Sequence, residues 1–397
     1  MVTSNAQALT DMGSDALPPY TRRRGAFFPN LRRPQPQTDR DSASLPALPL
    51  SPPRTGEDGG FQAQPTTEEV ERQLLDEYTQ VRQIGNSSEG IIDLKHHTPS
   101  GQLKVFKRSH SKWHVPPVNI DLTLEARKIR KLHDIAMHDN IVQADFGMTL
   151  LDGSQVVCLE YCAGGSLYLQ MRHFTSMVVS PPRLIVLHVT IAIGEALAFI
   201  HEGLTPTERP GEYQSHDIGS EALIHRDIKP DNVFLRLPLD RYGMPTPVLG
   251  DWGQSTTDVV SGGGTYGYQS PEQQNGQPVT TSSDVYSLGL MIYELCKVPT
   301  ERFWPTGKDP EDLELPDAYK GLAVQEFLER CLDVDPKRRP AMAEGIGLHW
   351  ITIFRDIREA FSKTEEINPA VWCNEDAVDL QAAGVGELGD DNEMEVE

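Results

Sequence analysis

Basic residues are missing from one end of this chain. No Lys or Arg follows Lys363 in the 397 residues, while eleven acids lie beyond it and supply half of the formal net charge of −22. Cysteine is scarce as well. Cys158, Cys162, Cys296, Cys331 and Cys373 have spacings that suit neither a zinc site nor a disulfide framework, so free thiols in a reducing compartment are expected. No uninterrupted apolar run reaches the ~18 residues of a membrane span. The N-terminus has no apolar segment of a secretory leader, and Asp11 and Asp15 speak against a mitochondrial presequence. The acidic balance argues against a nucleic-acid backbone as main partner, because phosphate binding needs clustered Lys and Arg. These absences lead to the expectation of an intracellular protein, cytoplasmic or nuclear, with no nucleic acid and no membrane span.

Hydrophobic residues make up only 38% of the chain, which points to polar regions outside a core. Residues 1–72 are rich in Pro, Ser, Gly and Gln, as in "SLPALPLSPPRTGEDGG", and carry no sustained period of 2 or 3.6. They are read as a disordered tail, since such a segment buries too little apolar area to offset its chain entropy. The basic stretch Thr21–Arg33 within it reads as a solvated patch. Residues 363–397 form an acidic tail, in which Trp372 is expected to dock back on the core. The folded part is residues 78–362. It opens with strand-like runs, "YTQVRQIG", "GIIDLKHH" and "LKVFKR", and a helical stretch follows over about 119–134. Long helical patterns come later, "PRLIVLHVTIAIGEALAFIHEG" and "SSDVYSLGLMIYELCK". Strands first and helices after predict an α+β architecture with segregated lobes.

The most informative stretch is "IHRDIKPDNVFLR" (Ile224–Arg236). Phosphoryl transfer needs a carboxylate to accept the proton of the attacking hydroxyl, a cation on the γ-phosphate and an oxygen donor for a metal. Asp227, Lys229 and Asn232 have those chemistries within six residues. Here the chain resembles the eukaryotic protein kinases, and "DIKPDN" resembles their Ser/Thr branch. The resemblance extends over about 78–361. It implies a bilobal fold with a β-rich N-lobe over 78–160 and a helical C-lobe over 163–362, binding ATP and Mg²⁺ and acting on Ser/Thr hydroxyls of protein substrates. "GDWG" stands where the family has its metal-binding Asp-Phe-Gly, so Asp251 and Asn232 are the implied Mg²⁺ ligands. "IGNSSEGII" stands for the Gly-rich loop, with Ile84, Gly85, Ser87 and Gly90 over the phosphates and Ser87 in place of a glycine.

Lys107 lies 17 residues after Gly90, at the place of the lysine that holds the α- and β-phosphates, and Glu125, 13 residues before His138, is its implied carboxylate partner. The resemblance places Leu159 as gatekeeper, the backbone of Glu160 and Cys162 at the adenine edge, and Ile92, Val105 and Phe234 around the ring. It further implies that Asp284 holds the catalytic loop, that Glu272 pairs with Arg339, and that Thr265 touches Asp227 and Lys229. Arg226 would receive a phosphorylated Ser255, Thr256, Thr257 or Ser261. Ser270-Pro271-Glu272 has Ser where the family has Ala. Trp252, larger than the usual Phe, is expected to be balanced by a small Ala144 in one packed column with His225 and Ile129. Residues 203–222 lengthen the stretch between His201 and His225 and read as a surface insertion. The alternative to an active kinase is a pseudokinase-like scaffold. Its mark would be a lost catalytic residue, and Lys107, Glu125, Asp227, Asn232 and Asp251 are all present.

Overall fold

The computed structural model describes residues 67–86, 90–109, 122–209, 211–219, 222–298, 313–320, 323–342, 346–364, 367–368 and 372. The N-lobe is a five-stranded antiparallel sheet in the order β1 (Tyr78–Asn86), β2 (Gly90–His97), β3 (Gln102–Ser109), β5 (Gln155–Glu160), β4 (Ala144–Thr149). Two helices accompany it, α1 (Thr67–Glu77) before the sheet and α2 (Leu122–Ile135) between β3 and β4. The C-lobe holds α3 (Leu167–Met177), α4 (Arg183–Glu202), α5 (Pro271–Gln274), α6 (Thr281–Lys297), α7 (Ala323–Cys331) and α8 (Ile346–Phe361), with the hairpin pairs β6 (Leu204–Pro206) with β7 (Tyr213–Ser215) and β8 (Val233–Arg236) with β9 (Thr246–Leu249). The expected α+β, bilobal layout is present. Its strand and helix bounds fall within a few residues of those read from the pattern.

One expected boundary needs correction. The tail drawn through residue 72 overlaps α1, because "TEEVERQLLDE" is helical from Thr67. Its Glu68 and Glu69 sit in the first turn, where the helix dipole favours acids, and Gln73 donates to Glu77 one turn on at 2.8 Å. The rest of the N-terminal tail and the acid-rich end after Trp372 lie outside the described residues. The insertion is more than a loop. Its strands β6 and β7 pair in register, and the Arg355 guanidinium lies over the Tyr213 ring.

Helix α4 is long and apolar enough to cross a bilayer by length and composition, although polar residues interrupt its apolar run. Its apolar stretch is buried as the central helix of the C-lobe. Each interruption finds a partner inside. His188 bonds Pro245 O at 2.9 Å, Glu195 takes Arg355, and His201 bonds Asp284 at 3.0 Å. Buried polar groups persist only when matched in this way. Near α8, Trp372 docks as expected, giving its indole N–H to Gly243 O at 2.9 Å.

The lower frame of the C-lobe rests on Glu272 and Arg339, which meet in a two-pronged pair at 2.7 and 2.9 Å with both side chains buried. Ser283 adds a third donor to Glu272 at 2.7 Å. Burial raises the Glu272 pKa, but the bonds from Arg339 and Ser283 outweigh it and bring it down to about 2 from 4.5. Ser270 explains its departure from Ala: it caps α5, accepting from Gln273 N, while Gln273 Oε1 takes Ser270 N at 2.9 Å.

A carboxylate whose folded pKa is depressed stabilises the fold above its unfolded pKa and loses that contribution as pH falls through the folded one. Glu272 is therefore expected to contribute about 3 kcal/mol at pH 7. Glu272→Gln should lower stability by that order, and the gap to wild type should close between pH 4.5 and about 2. Denaturant melts across that range check it.

Candidate active site

One buried carboxylate sets the geometry of the loop that follows α4 and its insertion. Asp284, in the first turn of α6, accepts the backbone N–H of His225 and of Arg226, both at 2.8 Å, and bonds His201 Nε2. Drawing two successive amides onto one carboxylate puts Arg226 at φ 73°, a conformation that non-glycine residues adopt only when their surroundings hold them there. The His225 ring is fully buried. Burial lowers its pKa, so it is neutral, with Nε2–H on Gly250 O at 3.0 Å and Nδ1 accepting Asp227 N at 3.3 Å.

Asp227 then faces a fixed set of donors. Its Oδ1 accepts the N–H and the hydroxyl of Thr265, each at 2.8 Å, and its Oδ2 accepts Lys229 Nζ at 3.0 Å and Asn232 Nδ2 at 3.1 Å. Lys229 also donates to Thr265 Oγ1 at 2.7 Å. The four acceptor sites of the carboxylate are filled, so an incoming hydroxyl reaches Asp227 by displacing one donor. Asn232 spends its amide nitrogen on Asp227, which leaves its oxygen for another partner.

The second centre is Lys107, buried on β3. Its Nζ lies 3.4 Å from Glu125 Oε2 on α2 and 3.1 Å from Asp251 Oδ1 after β9. Burial pushes the Glu125 carboxyl up, and Lys107 only partly offsets this. Burial acts on Asp251 too, but there Lys107 wins, by charge and by hydrogen bond, and holds it below the usual carboxylate range. The shorter contact and the greater exposure of Asp251, 31% against 1%, agree with that order. Asp251 is at φ 59°. Asn232 and Asp251 offer two hard oxygen donors, a set that suits Mg²⁺, which keeps several waters and takes phosphate oxygens for the rest. Among the described residues no cluster of three His, Cys, Asp or Glu offers a rival cage.

Trp252 is fully buried, edge-on to His225 with ring centroids 4.8 Å apart, and shares a core with Ile129. Ala144 packs half-buried on that core. The indole N–H goes to Leu249 O at 3.3 Å.

The expected nucleotide-cleft residues gather on the adjoining strands. Ile92 pairs with Lys107 across β2 and β3, and Val105 pairs with Leu159 across β3 and β5. Ile84 and Gly85 end β1, with Gly85 opposite Ile92. At Gly90 a Cβ would stand 2.0 Å from Arg108 O, so only glycine fits. Ser87 lies outside the described residues. Cys162 is buried beyond β5, and Phe234 on β8 packs half-buried against the core. Glu160 carries more than the expected edge: its carboxylate takes Arg236 at 2.7 Å and its amide donates to Gln143 O at 3.0 Å.

Arg226, the implied partner of a phosphorylated hydroxyl, donates to Gln254 O at 3.0 Å and to Gly262 O at 2.8 Å. Ser255 is buried and gives its hydroxyl to Trp252 O at 2.8 Å. Lys128 was not anticipated at all. It lies three residues after Glu125 on α2 and donates to Trp252 O at 3.3 Å and to Ser255 O at 2.6 Å.

Comparison with known proteins fits this geometry. The family model for the protein kinase domain matches residues 78–351. The serine/threonine-protein kinase Nek9 of Xenopus laevis is 26% identical over 73% of this chain and 29% of its own length. The G2-specific protein kinase nimA of Emericella nidulans is 28% identical over 70% of this chain and 42% of its own. For the mitogen-activated protein kinase kinase 2 of Arabidopsis thaliana the values are 26%, 68% and 71%. The chain thus spans less than a third of the frog relative.

Replacing Asp284 by Asn leaves three buried donors sharing one oxygen. Asp284→Asn is expected to cost about 3 kcal/mol or more. It should also speed hydrogen exchange over residues 224–232, which chemical denaturation and exchange mass spectrometry measure.

Proposed function

The chain belongs to the protein kinase family, and on that premise we propose that it transfers the γ-phosphoryl group of ATP to Ser or Thr hydroxyls of other proteins. The observation that carries this reading is the closed triangle of Asp227, Lys229 and Thr265. It puts a general base, a cation and a positioning hydroxyl at one point. The relatives named as serine/threonine kinases support the choice of acceptor.

Lys107, oriented by Glu125, holds the α- and β-phosphates in this reading. Asn232 and Asp251 would hold Mg²⁺, which would supply positive charge to offset that of the phosphates. The acceptor hydroxyl displaces a donor from Asp227 and gives up its proton to that carboxylate. Its oxygen forms the new bond to phosphorus while the bond from phosphorus to the bridging oxygen breaks, leaving ADP. Lys229 offsets charge on the moving group. Most of the acceleration comes from position and fixed charge, since the protein forms no covalent intermediate.

A peptide array with ATP and Mg²⁺ tests the reading. Wild type should label Ser/Thr peptides, and Asp227→Asn should be slower by about 10²–10⁴-fold. No transfer above that control contradicts the proposal and favours a scaffold. Asp251→Asn should abolish the Mg²⁺ dependence of the nucleotide-induced rise in Tm, read by thermal shift with and without chelator.

A further inference from the structure

Helix α2 grips the backbone of Trp252 at both ends. Glu125 Oε1 accepts Trp252 N–H at 3.2 Å, and Lys128 Nζ donates to Trp252 O at 3.3 Å. Residues three apart stand on one helix face, so the face that orients Lys107 also carries this ammonium. Lys128 reaches on to Ser255 O at 2.6 Å. Rotating α2 away from Lys107 would break all of these bonds together.

Further along, the segment wraps around Arg226. Two of its five N–H groups go to Gln254 O and Gly262 O, and the buried Nε–H has no partner among the described residues. The wrap depends on Gly262, Gly263 and Gly264 in succession, with φ of 68°, 80° and 79°. A Cβ on Gly263 would stand 2.1 Å from Arg226 Nη2. Gln254 Oε1 accepts Gly264 N–H at 2.7 Å, and Thr265 follows directly onto Asp227. Of the four hydroxyls between, Ser255 is buried and Thr256 has both its amide and its carbonyl paired with Ile224 at 2.9 Å.

We propose that Lys128 and Arg226 are positioning residues that hold this segment by its own carbonyls, so that the site is assembled with no phosphate on the segment. Lysine and arginine here do for backbone oxygens what a modified loop does for an arginine. The kinetic consequences rest on the phosphoryl-transfer reading above; the grip itself does not.

The test uses the full chain, treated with phosphatase and confirmed unmodified over 251–272 by mass spectrometry. Unmodified wild type should keep its kcat. Lys128→Met should lower kcat on the order of tenfold with little change in KM for the acceptor peptide, and Lys128→Arg, which still donates, should recover most of it. Gly263→Ala should also lower kcat. Hydrogen exchange over 122–135 and 252–258 should quicken in Lys128→Met and stay near wild type in Lys128→Arg. Loss of wild-type activity on dephosphorylation, restored by rephosphorylation, overturns the proposal, as does a Lys128→Met protein with wild-type rates and exchange. If wild type transfers nothing, the function reading fails, while the exchange comparison still decides the grip.

Discussion

A buried ammonium shared by two carboxylates is the constraint on which the rest of the structure depends. Lys107 arrives on a central strand, Glu125 on a helix of the same lobe, and Asp251 on a loop of the other lobe, 144 residues further along the chain. None of the three is stable in a low-dielectric interior without the others, since one charge left unpaired there costs about 3–5 kcal/mol. Their meeting therefore fixes helix α2 against the sheet and the end of β9 against both. The turn after α2 reinforces the same alignment. Asn140 bonds Pro247 O at 2.8 Å and accepts Leu249 N–H at 2.8 Å, so β9 is tied to the N-lobe just before Asp251.

The other half of the site is held from below. Asp284 collects two amides of the catalytic loop, and Glu272 with Arg339 anchors the helix ends beneath it. Strain is concentrated where the chemistry lies. Arg226 and Asp251 sit at positive φ on either side of Asp227, and each is over-determined by buried bonds. The assembled state follows from backbone carbonyls as much as from side-chain pairs.

What could be read from the sequence divides along the same line. Asp227, Lys229 and Asn232 lie within six residues, so their joint chemistry is local and legible. Lys107, Glu125 and Asp251 could be joined only through family resemblance, because strand, helix and loop meet by tertiary folding. The grip of Lys128 left no trace, since its acceptors are main-chain oxygens and any residue at 252 or 255 supplies one. The two carbonyl partners of Arg226 were hidden for the same reason, although three glycines in a row stand there. The capping box of Ser270 and Gln273 was written in the letters as S-x-x-Q and could have been found. Helix α1 is short of apolar letters, with only Val70, Leu74 and Leu75 among its 11 residues. Helix α4 was legible as a long helical pattern, and the residues that interrupt its apolar run, such as Glu195 and His201, bond inside the core.

The most direct measurement is the single-turnover rate of γ-phosphoryl transfer from ATP to a Ser/Thr peptide, by wild type and by Lys107→Met, with melting followed on the same samples. The account predicts rapid transfer by wild type and a loss of at least about 100-fold in the variant, with Mg²⁺-saturated conditions unable to restore it. Equal rates for the two proteins, with both folded, would contradict it.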